Sequence, residues 1–363
     1  MPAGFRRLWP AALVAMLSAG AADAGDASAV TAGGVVIATY QHASDPAIAH
    51  EGSGAADVSV SVPAAGGAFE VEFKGATSPR AGGVTSGLSV ANASVGETLD
   101  ADDHGRIVAW QLFYRHDVGN GSLAAGLIDA AAWIDGNDVA NDEFSQFMGV
   151  TFVNNPTVDL PAASAGVACN MGLAGSWGLA ALAMNATGVE PRYRRAFDLG
   201  QHGNGAFTAL EAQWSGSTVT GNLGAWLNTR HHDTDGDGID DDRLGKGHAY
   251  GVYGNLSGSL GAGKWNLRAG WAAPRVQSAA GFLGLAYSYP LLRTVLGAGV
   301  SRTFASSRLA GPRADLTQAE IYGRLRFTKS LTVTADLQHI AHDGFDPAQR
   351  GTWVTGMRVG WSF

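Results

Sequence analysis

Apolar and polar positions alternate with a period of two in segment after segment of this chain, and that period belongs to strands rather than helices. The C-terminal run is the clearest. From Thr352 to Phe363 one face carries Trp353, Thr355, Met357, Val359, Trp361 and Phe363, and the other carries Val354, Gly356, Arg358, Gly360 and Ser362. Upstream, Leu331, Val333, Ala335 and Leu337 oppose Thr332, Thr334, Asp336 and Gln338, while Ile321, Gly323, Leu325 and Phe327 oppose Glu320, Tyr322, Arg324 and Arg326. Trp265, Leu267, Ala269 and Trp271 oppose Asn266, Arg268 and Gly270, and Val108, Trp110, Leu112 and Tyr114 oppose Gln111 and Arg115. Gly, Asn, Asp and Pro punctuate these segments as turn formers do. No stretch sustains an apolar stripe at helical spacing.

Aromatic residues near both ends of an apolar face, with Arg and Gly opposite, suit a strand with lipid on one side and water on the other. About ten tilted residues cross the hydrocarbon. An arginine facing lipid at mid-depth costs roughly 2–4 kcal/mol, so the arginine-bearing faces are read as lumenal and Leu325 and Val359 as facing hydrocarbon near mid-depth. Counting segments predicts an all-β fold, a transmembrane antiparallel β-barrel of about 16 strands (about 16–18). A barrel of that size leaves an aqueous channel. The uncharged run Pro161 to Val189 reads as two short strands joined at Gly175-Ser176, because Asn170, Asn185 and frequent Gly and Ser break it as a membrane helix. The hydrophobic content of 46% gives no membrane signal, since each barrel strand is half apolar and half polar.

The first residues are set apart from the fold. Arg6 and Arg7, the apolar run Leu8 to Leu17 and the small residues Ala22-Asp23-Ala24 form the n-region, h-region and cleavage site of a signal peptide. The expectation is a leader over 1–24, a single barrel domain over 25–363, and an address in the outer membrane of a Gram-negative bacterium. A terminal Phe363 after an alternating strand is the kind of signal that barrel assembly machinery reads. One cysteine, Cys169, excludes an intramolecular disulfide. Net charge is -8, with basic residues scattered, which argues against nucleic acid as a partner.

The acidic, Asn-rich segment Asp135 to Pro161 is the candidate for a loop folded into the lumen. Asp135, Asn137, Asn141, Asp142, Glu143, Asn154 and Asn155 can bond hydroxyls, and Trp133 and Phe152 can stack on sugar faces. Gln111, Arg115, Asp129, Glu320, Arg324, Arg326, Asp336, Gln338 and Arg358 are candidates for the wall. Mixed charge suits neutral polyols, whereas a ring of one sign selects ions. In His231 to Asp242, carboxylates at alternate positions around Gly236 and Gly238 match the front half of a calcium loop, with Asp233, Asp235, Asp237, the Ile239 carbonyl and Asp241 as ligands. A Glu at the twelfth position is lacking. Neither G-x-S-x-G, H-E-x-x-H nor a phosphate-binding glycine loop is present, so no enzyme and no redox cofactor are expected.

Three blocks carry a family resemblance. They are Gly126-Leu127-Ile128-Asp129-Ala130 running through Trp133-Ile134-Asp135-Gly136-Asn137-Asp138 to Phe152-Val153-Asn154-Asn155-Pro156, then Ala319 to Tyr322 with Leu331 to Ile340, and the final Arg358 to Phe363. Together they resemble the carbohydrate-selective porin family over roughly residues 100–363, although the Trp-Gly-Gly segment usual near that family's mature start is missing between Gly25 and Val62. The resemblance implies a sixteen-stranded barrel, monomeric or loosely associated, that diffuses sugars inward without a chemical step. A general or anion-preferring channel, or a non-conducting surface barrel acting as an adhesin, uses the same architecture.

Overall fold

The computed structural model describes residues 29–96, 98–100, 102–189, 193–198, 205–230 and 247–363. The leader segment 1–24 and the candidate calcium residues Asp233, Asp235, Asp237, Ile239 and Asp241 lie outside the described residues. Sixteen strands follow one another: β1 (Thr31–Ala43), β2 (Glu51–Ala64), β3 (Gly67–Ala76), β4 (Ile107–Val118), β5 (Gly121–Ile128), β6 (Ser164–Gly172), β7 (Trp177–Asn185), β8 (Ala206–Ser215), β9 (Val219–Asn228), β10 (Ala249–Leu260), β11 (Gly263–Ala272), β12 (Ala279–Leu291), β13 (Thr294–Ala305), β14 (Leu316–Arg326), β15 (Leu331–Ala341) and β16 (Thr352–Ser362). Each pairs antiparallel with its sequence neighbours, and β1 closes on β16 with Ile37 opposite Gly360 and Thr39 opposite Arg358. Closure leaves no unpaired sheet edge, the condition for strands to cross a bilayer. The uncharged run is indeed β6 and β7 with a turn between them.

Connections at one end are tight, as at Ala65-Gly66, whose φ values of 44° and 81° give the left-handed turn that suits the twist of a hairpin. At the other end they are long, 77–106 and 129–163 above all. Short periplasmic turns and long outer loops are the usual sense of such barrels. Outward aromatics collect near both rims: Tyr40, Phe73, Tyr250, Trp271, Phe304 and Trp353 toward the long loops, and Phe69, Trp177, Trp214, Tyr289, Phe327, Trp361 and Phe363 toward the short turns. Between these girdles stand exposed Val, Leu and Ile. Trp361 and Phe363 stack at 4.9 Å, and the Phe363 backbone exchanges hydrogen bonds with Gly34 at 3.1 and 3.2 Å.

The girdles correct two expectations. Leu325 and Val359 face outward but sit one outward position from Phe327 and Trp361, so they lie near the rim. Ile321 and Met357 are closer to mid-depth. On β4 the alternation changes phase: the register with β3 shifts between Glu72 and Phe73, whose partners are Gln111 and Ala109. Trp110 is the extra residue of this bulge. Val108, Trp110 and Gln111 are therefore all buried, and outward alternation resumes only at Leu112 and Tyr114. A bulge reverses the face of every residue on one side of it, which strict period-two reading cannot anticipate.

Candidate functional site

The inner loop 129–163 enters the lumen on fixed anchors. At its start the Trp110 indole N–H donates to Asp129 Oδ2 at 2.8 Å, the Asp129 amide donates to Gln111 Oε1 at 3.1 Å, and Asp129 Oδ1 caps the turn by accepting from the Ala131 amide at 3.0 Å. Thus the bulge on β4 turns an aromatic residue into a loop anchor. Asp135, at a left-handed φ of 58°, gives its amide hydrogen to Glu211 at 2.7 Å, and Glu211 also accepts from the Tyr253 hydroxyl at 2.9 Å. The Asp135 carboxylate lies 3.5 Å from Arg268 Nε, yet its burial raises the carboxyl above its ordinary range against that pull.

The wall grips the loop mainly by its backbone. Arg268 Nη1 donates to the carbonyls of Phe152 and Val153, and Nη2 to those of Asp135 and Ala140, all at 3.1–3.2 Å, with Asn141 Oδ1 a further acceptor. Arg358 donates to the carbonyls of Glu143 at 2.6 Å and Gln146 at 2.7 Å. Glu320 accepts the amides of Met148 and Gly149 at 2.6 and 2.8 Å. Two wall glycines let the loop lie close. A Cβ on Gly270 would meet Thr157 Oγ1 at 2.0 Å, and one on Gly299 would meet the Phe152 ring at 2.6 Å.

A second loop, 77–106, also turns inward, and the alternation pattern gives no sign of it. Gln41 and Gln338 both donate to the Ala91 carbonyl at 3.0 Å, and Gln318 donates to the Val90 carbonyl at 3.0 Å. The two loops meet where the Ala93 amide donates to the Met148 carbonyl and the Val150 amide to the Val90 carbonyl. Buried Val84, Leu88 and Val90 pack against Leu316, Ile340 and Val354 of the wall, which fastens this loop.

The sequence candidates therefore divide. Glu320, Arg358, Gln338, Gln111 and Asp129 face inward but are engaged as anchors, and Asp336 accepts from Gln338 at 3.0 Å. Asn137 and Asn155 fold the loop on itself, with Asn155 also donating to the Ala269 carbonyl at 3.1 Å. Asp142 accepts the Phe144 and Ser145 amides, Asn141 donates its amide to Gln146, and Asn154 is half-buried. Phe152 stacks on Phe147 at 4.6 Å inside the protein, so its ring is not offered to a solute. Arg324 and Arg326 reach the lumen beyond the loop, and Arg115 sits there with Glu70 and Asp117. Lys74 reaches Glu143 at 3.5 Å and Glu72 at 3.9 Å, with its ammonium 5.3 Å from the Trp110 ring centre.

Beside the first limb of the inner loop lies a recess of about 100 Å³, open to the lumen and lined by Trp133, Asn137, Asp138, Asn170, Glu211, Gln213, Asn222 and Asn255. Asn222 and Asn255 are partly spent on the Gly136 carbonyl, and Gln213 donates to Glu211. Asn170 also borders the space. Arg268, read from sequence only as one more lumenal arginine, has the most extensive set of contacts to the inner loop. Its signal was a mid-strand arginine with no carboxylate on the adjoining inward faces of β10 and β12.

Comparison with known proteins agrees with this architecture. A family model described as carbohydrate-selective porin, OprB family, matches residues 76–363. The structure is similar to that of Pseudomonas putida OprB, with a TM-score of 0.69 at 15% identity over 92% of this chain and 94% of that one. It also resembles a variant of the Rhodopseudomonas blastica porin, with a TM-score of 0.53 at 11% identity over 92% of this chain and 100% of the other. At these identities the likeness concerns the fold. An uncharacterized protein of Aquifex aeolicus is 31% identical over 83 residues, which span 27% of its length. The matched family, the closed sixteen-stranded barrel and the loop held inside it lead to one assignment: this chain belongs to the carbohydrate-selective porin family of the outer membrane.

Proposed function

We propose that the barrel lets neutral sugars or related polyols diffuse across the outer membrane past the inner loop, with no chemical step. The observation that carries this reading is the recess beside that loop. Its lining of amides and the Trp133 indole offers hydrogen-bond donors and acceptors with an apolar face for a sugar ring, and its two carboxylates are engaged by the protein, Glu211 by the Asp135 amide and the Tyr253 hydroxyl and Asp138 by Lys264 at 3.0 Å. Single-channel conductance with sugars titrated as blockers tests it. Block should be present in the wild type and weakened in Trp133→Ala and Asn170→Leu, with ion flow retained. Absence of sugar block in the wild type would favour a general channel, and absence of conductance in well-folded protein would favour a surface barrel.

A second reading, an anion-preferring channel, has its own support. Arg324 and Arg326 face the lumen and make no ion pair among the described residues. Cleavage after Ala24, recognition of Phe363 by the assembly machinery and calcium binding by Asp233, Asp235, Asp237, Ile239 and Asp241 belong to the same proposal. The alternation ending on an aromatic residue supports the second of these, and the spacing of carboxylates supports the third.

A further inference from the structure

The outward face of the barrel is kept free of charge with one exception. Among the described strand residues, Glu51, Asp57, Glu70, Glu72, Lys74, Arg115, Asp117, Glu211, Lys264, Arg268, Glu320, Arg324, Arg326, Asp336 and Arg358 all fall on inward positions of their strands. Arg302 alone points out, alternating with buried Ser301 and Thr303, and its side chain is 59% exposed. It stands one outward position inside Phe304, a residue of the girdle toward the long loops. A charge tolerated there needs a partner that the membrane itself supplies or the protein brings.

The protein brings half of one. Asp315, from the loop that follows β13, accepts Arg302 Nε at 3.0 Å and Nη2 at 2.6 Å, and its other oxygen accepts the Ala305 amide at 2.9 Å. Phe304 lies beneath the guanidinium at 5.2 Å. Asp315 and Phe304 therefore hold the fork in a fixed plane, and the Nη1 edge stays open. Next to it, the outward residues of β14 are small: Thr317 pairs with Arg302, and Ala319 follows. Beyond them on β15 and β16, His339 packs on Trp353 at 4.8 Å. The result is a shallow trough over Thr317 and Ala319, walled by Arg302 with Phe304 on one side and His339 with Trp353 on the other.

We propose that this trough binds the phosphorylated headgroup of an outer-leaflet glycolipid, with the open edge of Arg302 on a phosphate and an acyl chain along the small-residue face of β14. With Nε and Nη2 on Asp315, Nη1 is left to donate to a phosphate oxygen, and from just inside the girdle the long arginine side chain reaches the level of anionic headgroups. The inference rests on the outer-membrane reading, with the long loops outside, but not on which solute passes the lumen.

Native mass spectrometry of the whole barrel in detergent, with phosphorylated lipid A added, tests it against the enzymatically dephosphorylated lipid and against inorganic phosphate. The expected result is selective retention of the phosphorylated lipid by the wild type and about tenfold weaker retention by Arg302→Gln. Arg302→Lys, which keeps the charge and loses the fork, should fall between them. Heat-modifiable mobility and sugar block should stay unchanged in both variants, which separates failure of this site from failure of the transport reading. Equal retention of both lipids by the wild type would overturn the proposal. So would inorganic phosphate binding as well as the lipid, or an Arg302→Gln effect confined to association between copies of the barrel.

Discussion

Arg268 and Arg324 both stand on inward faces of strands within one barrel wall, yet they do different work. Arg268 is 3% exposed and spends its guanidinium on four carbonyls, an amide oxygen and a carboxylate of the inner loop. Arg324 faces the lumen from near the short-turn end of β14 and holds no loop among the described residues. The difference lies in what crosses in front of each. The loop passes the middle of β11 and leaves the short-turn end of β14 uncovered. An inward charge is therefore structural where the loop lies and available to solutes where it does not.

The largest test of this contrast is Arg268→Ala. Removing it leaves the Asp135 carboxylate buried beside orphaned carbonyls, a loss expected to cost about 3–5 kcal/mol. Urea titration should report the destabilisation, and conductance should rise as the loop loosens. Next in size is a pair on the outer face of β14. Ile321→Arg should cost roughly 2–4 kcal/mol, whereas Leu325→Arg, close to the girdle, should cost about 0–1 kcal/mol. Heat-modifiable gel mobility during refolding would rank them, and equal costs would show the girdle assignment to be wrong. The smallest effect on stability belongs to Arg324→Ala, within about 0.5 kcal/mol of wild type, with a shift of ion selectivity away from anions read as reversal potential in a salt gradient.

Much of the barrel is legible in the amino-acid sequence. The strands β14 to β16 follow strict alternation because lipid and water impose opposite costs on the two faces, and a terminal strand such as Thr352 to Phe363 has no irregularity to hide that rule. The bulge at Trp110 was not legible, since its residues keep an apolar rhythm while one of them changes sides. The inward course of 77–106 was also hidden. Its attachment depends on Gln41, Gln318 and Gln338 from three distant strands meeting the two carbonyls of Val90 and Ala91. The same limit applied to the candidate site. Its residues could be named as inward, but the choice between anchoring the loop and facing solute is made by the path of a loop that has no periodicity.

That most of the anchors grip carbonyls and amides has a consequence for how such a channel changes over generations. Glu320 holds the loop through the amides of Met148 and Gly149, and Arg358 through the carbonyls of Glu143 and Gln146, groups that almost any residue would provide except at Gly149, where a Cβ would meet Gln318 Nε2 at 2.3 Å and Glu320 Oε2 at 2.7 Å. Side chains at the other loop positions can then drift without releasing the fastening, while Gly149 and the wall residues that clasp the loop cannot. New solute preferences are accessible by exchanging loop side chains one at a time, inside a frame that does not have to be rebuilt.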